Sequence, residues 1–355
     1  MKPPPLRWIA VTAAAVAAVL CWYLLTREPD ATPRTAGTGM APAALVTGKG
    51  AAPSLKEPMP KFGTPEFKSA LKERGKKWLE SRGRDAVGLI AMWELTGDQR
   101  FLQEAHERFP DEPRVWVAMH QDGLTPSAIE RMIAAEPDNP EWLYQKIELV
   151  TTTPGSKYQG DPIISLLRQA AATKGRRDNH LLESMQRVRE TSLALGVGPG
   201  DAVRLALVLL DNVRPTVSYA VMQVLGEEHQ AAKLSGSEDR VREIMELGIA
   251  TADKFSSARL LTLSEAGRMF RLKKSLLADL SDDTMIGTSG RTVASFRAEL
   301  VAWSRVTSLV PHDPFSPHIP DTATDELAVT YFNLFTASGE AEALLWLRQQ
   351  TVNEN

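Results

Sequence analysis

From Glu66 onward, apolar residues recur at helical spacing along almost the whole chain. Phe67, Leu71, Trp78 and Leu79 share one face, with Lys and Glu opposite. Val87 to Leu95 is a second apolar stretch, closed by Gly97, and Asp98 is placed to cap the helix that follows. Phe101, Leu102, Ala105 and Phe109 form a stripe ending at Pro110, and Val115–Met119, Ala128–Ala135 and Trp142–Val150 continue the series. Further helices are predicted over Ile163–Ala172, Leu181–Leu195, Ala202–Leu210, Val217–Leu225, Val241–Thr251, Ala258–Leu280, Val293–Thr307, Leu327–Phe335 and Ala341–Leu347. Pro, Gly, Asp or Asn bound the early segments, where they remove a donor or cap an end. Runs alternating β-branched with polar residues are almost absent, so the pattern predicts an all-α fold.

The amino-terminal part obeys different rules. Trp8 to Leu25 is 18 residues without a charge. As a helix it would span about 27 Å, close to the hydrocarbon thickness of a bilayer. Trp8 lies at one end and Trp22 and Tyr23 at the other, where amphipathic rings favour the headgroup level. Lys2 and Arg7 precede this span, whereas Arg27 and Arg34 are offset by Glu28 and Asp30, so the positive-inside bias puts the amino terminus in the cytoplasm. A cleaved signal peptide needs a small-x-small site directly after the apolar run, but Thr26-Arg27-Glu28-Pro29 follows instead. A lipid-anchored Cys21 needs a small residue before it, and Leu20 is there; Cys21 reads as a small apolar residue. From Arg27 to Pro65 the chain holds seven Pro, five Gly and seven Ala with little periodicity, which predicts a semi-extended tether. The organisation expected is a cytoplasmic tail over 1–7, a transmembrane helix over 8–25, a tether over 26–65 and a helical-repeat domain over 66–352, with the bulk periplasmic.

An internal repeat lies within the helical part. Pro110-Asp111-Glu112-Pro113 recurs as Pro137-Asp138-Asn139-Pro140, an offset of 27 residues. The preceding helix aligns Phe101, Leu102 and Ala105 with Ala128, Ile129 and Met132, and the following one aligns Val115-Trp116-Val117 with Trp142-Leu143-Tyr144. The stretch Ala135-Glu136-Pro137-Asp138-Asn139-Pro140-Glu141-Trp142 resembles the junction between units of tetratricopeptide-like helical repeats, clearest over 98–150. The resemblance implies an irregular α-solenoid of helical hairpins that binds protein or peptide partners on a concave face. The spacing of 27 is shorter than that family's usual repeat of about 34, and the Gly-Tyr positions of its first helix are missing.

Composition narrows the chemistry. The chain has 355 residues, 41 Lys+Arg against 44 Asp+Glu, a net charge of −3 and one Cys, which excludes a disulfide framework and a Cys-based zinc site. Beyond Pro65 there are 34 basic and 41 acidic side chains, a sign that argues against nucleic acid as a partner. Gly48-Lys49 lacks the earlier Gly and the following hydroxyl of a phosphate-binding loop. None of the six histidines, His106, His120, His180, His229, His312 and His318, has the spacing of a helical zinc pair. His312, Asp313, His318 and Asp321 cluster in a Pro-rich stretch that reads as a connector between helices. Glu183-Ser184 resembles the catalytic dipeptide of lytic transglycosylases, but Arg176, Arg177, Arg187 and Arg189 surround it in sequence and would depress the pKa that a general acid needs raised. Gly287-Thr288-Ser289-Gly290 reads as a loop. Arg268, Arg271, Lys273 and Lys274 form a basic cluster able to meet an acidic partner, although such runs are commonly solvated faces. Trp78, Trp93, Trp116 and Trp142, with Met92, Met119 and Met132, read as core.

No catalytic, cofactor-binding or metal-binding residue is assigned, and the expected role is scaffolding on the outer face of the inner membrane. The alternative is a glycosidase-like cell-envelope enzyme or cell-wall-binding module. Alkaline carbonate washing of membranes should leave the intact chain in the pellet, with residues before Arg27 retained in its mass; recovery in the supernatant would remove the anchor.

Overall fold

The computed structural model describes residues 58–119, 125–153, 160–212, 216–258, 262–286, 290–309 and 323–353. The span Trp8–Leu25, Cys21, Gly48-Lys49 and the His312–Asp321 group lie outside them. Among the described residues no helix is long and apolar enough to cross a membrane.

Among the described residues fifteen α-helices account for most of the chain. They are α1 (Pro65–Ser81), α2 (Ala86–Thr96), α3 (Gln99–Arg108), α4 (Pro113–Met119), α5 (Pro126–Ala135), α6 (Glu141–Thr152), α7 (Gly160–Ala172), α8 (Leu181–Ala194) and α9 (Pro199–Leu207). After a 3-10 turn over Val208–Asn212 come α10 (Thr216–Leu234), α11 (Glu238–Ser256), α12 (Leu263–Leu276), α13 (Val293–Leu309), α14 (Asp325–Ser338) and α15 (Glu340–Asn353). A minimal antiparallel hairpin, β1 (Met285–Ile286) and β2 (Arg291–Thr292), pairs Met285 with Thr292 and Ile286 with Arg291. The fold is therefore all-α.

Helix ends follow local chemistry. Thr64, Asp85, Asp98 and Thr324 each accept an orphan amide with their side chains. Gly97 closes α2 in the left-handed conformation that glycine adopts without a Cβ clash. Several expected boundaries moved, among them those of α10 and α12. The helix from Val217 runs through Gly226 to Leu234, because burial of Val221, Val224, Leu225 and Ala232 outweighs a glycine penalty of about 1 kcal/mol. The segment expected as one helix over Ala258–Leu280 starts at Leu263, where Thr262 and Glu265 form a reciprocal capping box. Beyond its end, Arg297 donates to the carbonyls of Leu277 (2.7 Å), Ala278 (3.3 Å) and Leu280 (2.9 Å).

From α1 to α7 each helix packs on the next in chain order. The two Pro-Asp-x-Pro turns in this run are built alike. Phe109 and Glu136 end their helices at φ −131, and each amide donates to the carbonyl four residues back, Ala105 or Met132. Trp116 Nε1 reaches six residues back to the Pro110 carbonyl (2.6 Å), and Trp142 Nε1 reaches six back to the Glu136 carboxylate (2.9 Å). After α7 the path turns back: α8 lies on α2, α10 on α6, α11 on α7, and α14 on α9. Three apolar cores result. One joins α1–α4 to Leu195, Val197 and Ala202; one joins α6, α7 and α10–α12 to the start of α13; the third joins α8 and α9 to α14 and α15. Trp78, Trp93 and Trp142 are buried, and Trp116 is half-buried beneath Arg131, 4.5 Å from its ring centre.

Two straps tie these cores together. Arg74 of α1 donates to the Leu195 carbonyl at the end of α8 (3.2 Å) and to the Pro58 carbonyl (3.3 Å), while Met59 and Phe62 pack on the first core. The loop between α7 and α8 lies on the second Pro-Asp-x-Pro turn. Asn139 donates to the Asp178 carbonyl (2.7 Å) and accepts from the Asp178 amide (3.1 Å). Gly175 comes so close that a Cβ there would sit 2.1 Å from the Asp138 carbonyl oxygen. Gly175→Ala must shift backbone against backbone and should cost about 1–3 kcal/mol in urea unfolding; an unchanged midpoint would show that this loop is not clamped.

Candidate functional site

The described residues hold two buried charge clusters, both built around α8 and the loop that precedes it. In the first, Arg177 is buried between Glu141, in the first turn of α6, and Glu265, in the first turn of α12. Its Nε donates to Glu141, its Nη1 lies 2.7 Å from Glu265, and its guanidinium sits 4.3 Å from the Phe255 ring centre. The other carboxylate oxygens are also engaged, Glu141 by Gln145 (2.8 Å) and Glu265 by the Thr262 hydroxyl (3.2 Å). Burial opposes the Arg177 charge, but the two carboxylates outweigh it and hold the pKa above its ordinary value. This cluster is sealed from solvent and fixes helix positions.

The second cluster opens to solvent and is the candidate site. It is lined by Glu94 of α2, Pro113, Arg114, Val117 and Ala118 of α4, Glu136 at the end of α5, and His180, Glu183, Ser184 and Arg187 around the start of α8. Residues 180, 183, 184 and 187 fall on one helical face by their spacing. Arg187 grips Glu94 with two parallel hydrogen bonds, Nε to Oε2 at 2.8 Å and Nη2 to Oε1 at 2.6 Å. It also donates to the Ser184 hydroxyl (2.9 Å) and to Glu183 (3.3 Å), and Arg114 Nε lies 3.0 Å from the same Glu183 oxygen.

His180 completes the group from an unusual backbone. Its φ of +58 is a left-handed conformation uncommon outside Gly, although Asn, Asp and His adopt it more often than other residues. The ring is held from three sides, stacked on Trp142 at 5.7 Å, with Nε2 3.1 Å from Glu136 and Nδ1 3.7 Å from Glu183. Burial disfavours the imidazolium, yet the hydrogen bond to Glu136 and the Glu183 carboxylate 3.7 Å away outweigh burial and push its pKa up to about 10. The same balance works in reverse for Glu183: burial would raise it, but His180, Arg187 and Arg114 bring it down to about 2. Glu136 is likewise held below the usual carboxylate range by His180, Asn139 and Trp142, against burial.

These states limit the chemistry. A glycosidic general acid must hold a proton near neutral pH, and Glu183 is ionised there. The Ser184 hydroxyl accepts from Arg187, which cannot serve as a base. The space enclosed is about 10 Å³, enough for about one water molecule and far short of the ~300 Å³ of a small-molecule site. Of the four arginines that surround Glu183 in sequence, Arg187 bonds it (3.3 Å). Arg177 points into the other cluster, and Arg189 lies over Phe332 at 5.3 Å. Glu94, Arg114 and Glu136 went unread; the available signal was Glu94 itself, an acid inside the otherwise apolar run of α2. Of the remaining histidines, His106 stands edge-on to Trp116 at 5.3 Å and His229 is buried on α10; His120 lies outside the described residues. Of the basic cluster, Lys273 turns inward to Asp253 (2.6 Å), whereas Arg271 and Lys274 are exposed and Arg268 half-buried. Among the described residues no group of three or more His, Cys, Asp or Glu is arranged to hold a metal ion. No protein family model, curated protein or solved structure matches this chain.

The pKa directions set a stability profile. His180, raised from about 6.5 in the unfolded chain to about 10, contributes stability fully present below about pH 6.5 and lost as pH rises towards 10. Glu183, lowered to about 2, contributes above about pH 4.5 and is lost as pH falls towards 2. His180→Asn, which tolerates positive φ, should flatten the alkaline limb of urea midpoint against pH; an unaltered limb would place the titration elsewhere.

Proposed function

We propose that the protein is a membrane-anchored helical interaction module that scaffolds a protein or peptide partner on the outer face of the inner membrane. Residues 8–25 anchor it, with the amino terminus in the cytoplasm and the bulk of the chain periplasmic. Residues 26–65 let the folded part search near the bilayer. The observation that carries this reading is the chain-order packing of α1 to α7 with two like-built Pro-Asp-x-Pro turns. That arrangement supports an irregular tetratricopeptide-like array of hairpins, whose successive helices present an extended surface suited to a peptide or helix.

Glu183 and His180 share a cleft, as an enzyme would require, but the carboxylate is saturated by cations and the space is closed to a sugar ring. In this reading the cluster locks α8 across the first hairpins and no bond is made or broken there. Affinity capture of the full chain in mild detergent should return a reproducible companion, and Glu183→Gln should still capture it. Peptidoglycan hydrolysis by the wild-type chain that disappears in Glu183→Gln would overturn the proposal in favour of a cell-wall enzyme.

A further inference from the structure

The exposed face of α12 is cationic, although the folded part as a whole is net acidic. The residues it presents are Gly267, Arg268, Phe270, Arg271, Lys274 and Ser275, three cations at i, i+3 and i+6 with no acid among them. The helix's one acid, Glu265, is buried against Arg177. Lys273 is also removed from this surface by its pair with Asp253, and Asp279, the first acid beyond it, is paired with Lys233 of α10. Among the described residues no carboxylate lies within ion-pair distance of Arg268, Arg271 or Lys274; Arg268 donates to the Ser218 hydroxyl at 3.3 Å. Burial, and then the Arg271 charge, push the Arg268 pKa down against the weaker opposing pull of the buried Glu265.

Two further features favour a binding role over a merely solvated face. Gly267 has open space where a Cβ would stand, so another chain could approach the helix backbone there. Tyr219, 56% exposed on the adjoining helix α10, is the next residue after Ser218, to which Arg268 is bonded. Tyr and Arg are enriched where protein interfaces concentrate their binding energy. Elsewhere the folded part is net acidic, so a cationic stripe with no internal partner is complementary to an acidic ligand.

Building on the scaffolding function proposed above, we infer that the Arg268, Arg271 and Lys274 face of α12, flanked by Tyr219, docks an Asp/Glu-rich segment of the partner protein. The carboxylates pair with the guanidinium and ammonium groups, and the segment lies along the helix over Gly267.

The test uses the full chain in uncharged detergent and a short fluorescein-labelled oligoglutamate peptide, read by anisotropy. Binding should weaken with salt and fall about ten-fold in Arg271→Glu/Lys274→Glu, while Lys68→Glu/Lys76→Glu, a pair on the exposed face of α1, leaves it unchanged. Both altered pairs are solvent-facing, and an unchanged urea midpoint will show that the fold is intact. No peptide binding, equal loss in both variants, or peptide displaced by phosphatidylglycerol vesicles or by inorganic phosphate at like charge concentration would overturn the inference. The companion captured from cells separates the two failures. A companion retained by Arg271→Glu/Lys274→Glu overturns the α12 surface and spares the scaffold, whereas no companion for the wild-type chain overturns the scaffold itself.

Discussion

The fold is organised around Arg177. A guanidinium taken out of water costs several kcal/mol unless its charge and its donors are met, and here two carboxylates from helices far apart in sequence meet it. Glu141 and Glu265 both stand in the first turn of their helices, where the helix dipole already favours a negative charge. One side chain in a connecting loop therefore fixes where α6 and α12 begin relative to each other, on the floor of the second core. Removing Arg177 would leave two buried carboxylates without their cation, typically a loss of about 3–5 kcal/mol, whereas removing either Glu would leave one buried ion pair.

The neighbouring cleft repeats the logic at the edge of the first core. Arg187 and Glu94 clasp α8 to α2, and His180 is caught between carboxylates from α5 and α8 while it stacks on Trp142. Apolar packing alone is poor at specifying which of several similar helices lies on which. Bidentate and buried polar contacts accept few alternative registers, and both clusters occur where the path stops following chain order and turns back. The first seven helices need little such guidance, because turns bounded by Gly, Asp or Pro already bring successive helices together.

Local features were largely legible in the sequence, and long-range ones were not. The apolar stripes of α1 to α6, the caps at Asp98 and Gly97 and the two Pro-Asp-x-Pro turns are short-range consequences of residue type, and the structure places helices close to those stretches. The extension through Gly226 depended on partners from α6, α11 and α12, and the break before Leu263 depended on a capping box that outweighed a continuous apolar pattern. The charge clusters were invisible for a related reason. Glu94 and Arg187 are 93 positions apart, and Arg177 and Glu141 are 36 apart. No periodicity links them; only an acid inside an apolar helix and a dense run of arginines hint that some charges point inward. In the basic cluster of α12 the helical period sorts Lys273 from Lys274 once the buried face is known, and that face is set by α10 and α11.

The strap at Arg74 bears on mechanics. Its guanidinium holds the Pro58 carbonyl on one side and the last carbonyl turn of α8 on the other. Tension arriving along the chain from its amino-terminal end is thus shared between α1 and α8 before it can unpeel the Thr64 cap. The Arg74 bonds pass part of the load to α8, which packs on α2, so the pull is not borne by the first turn of α1 alone.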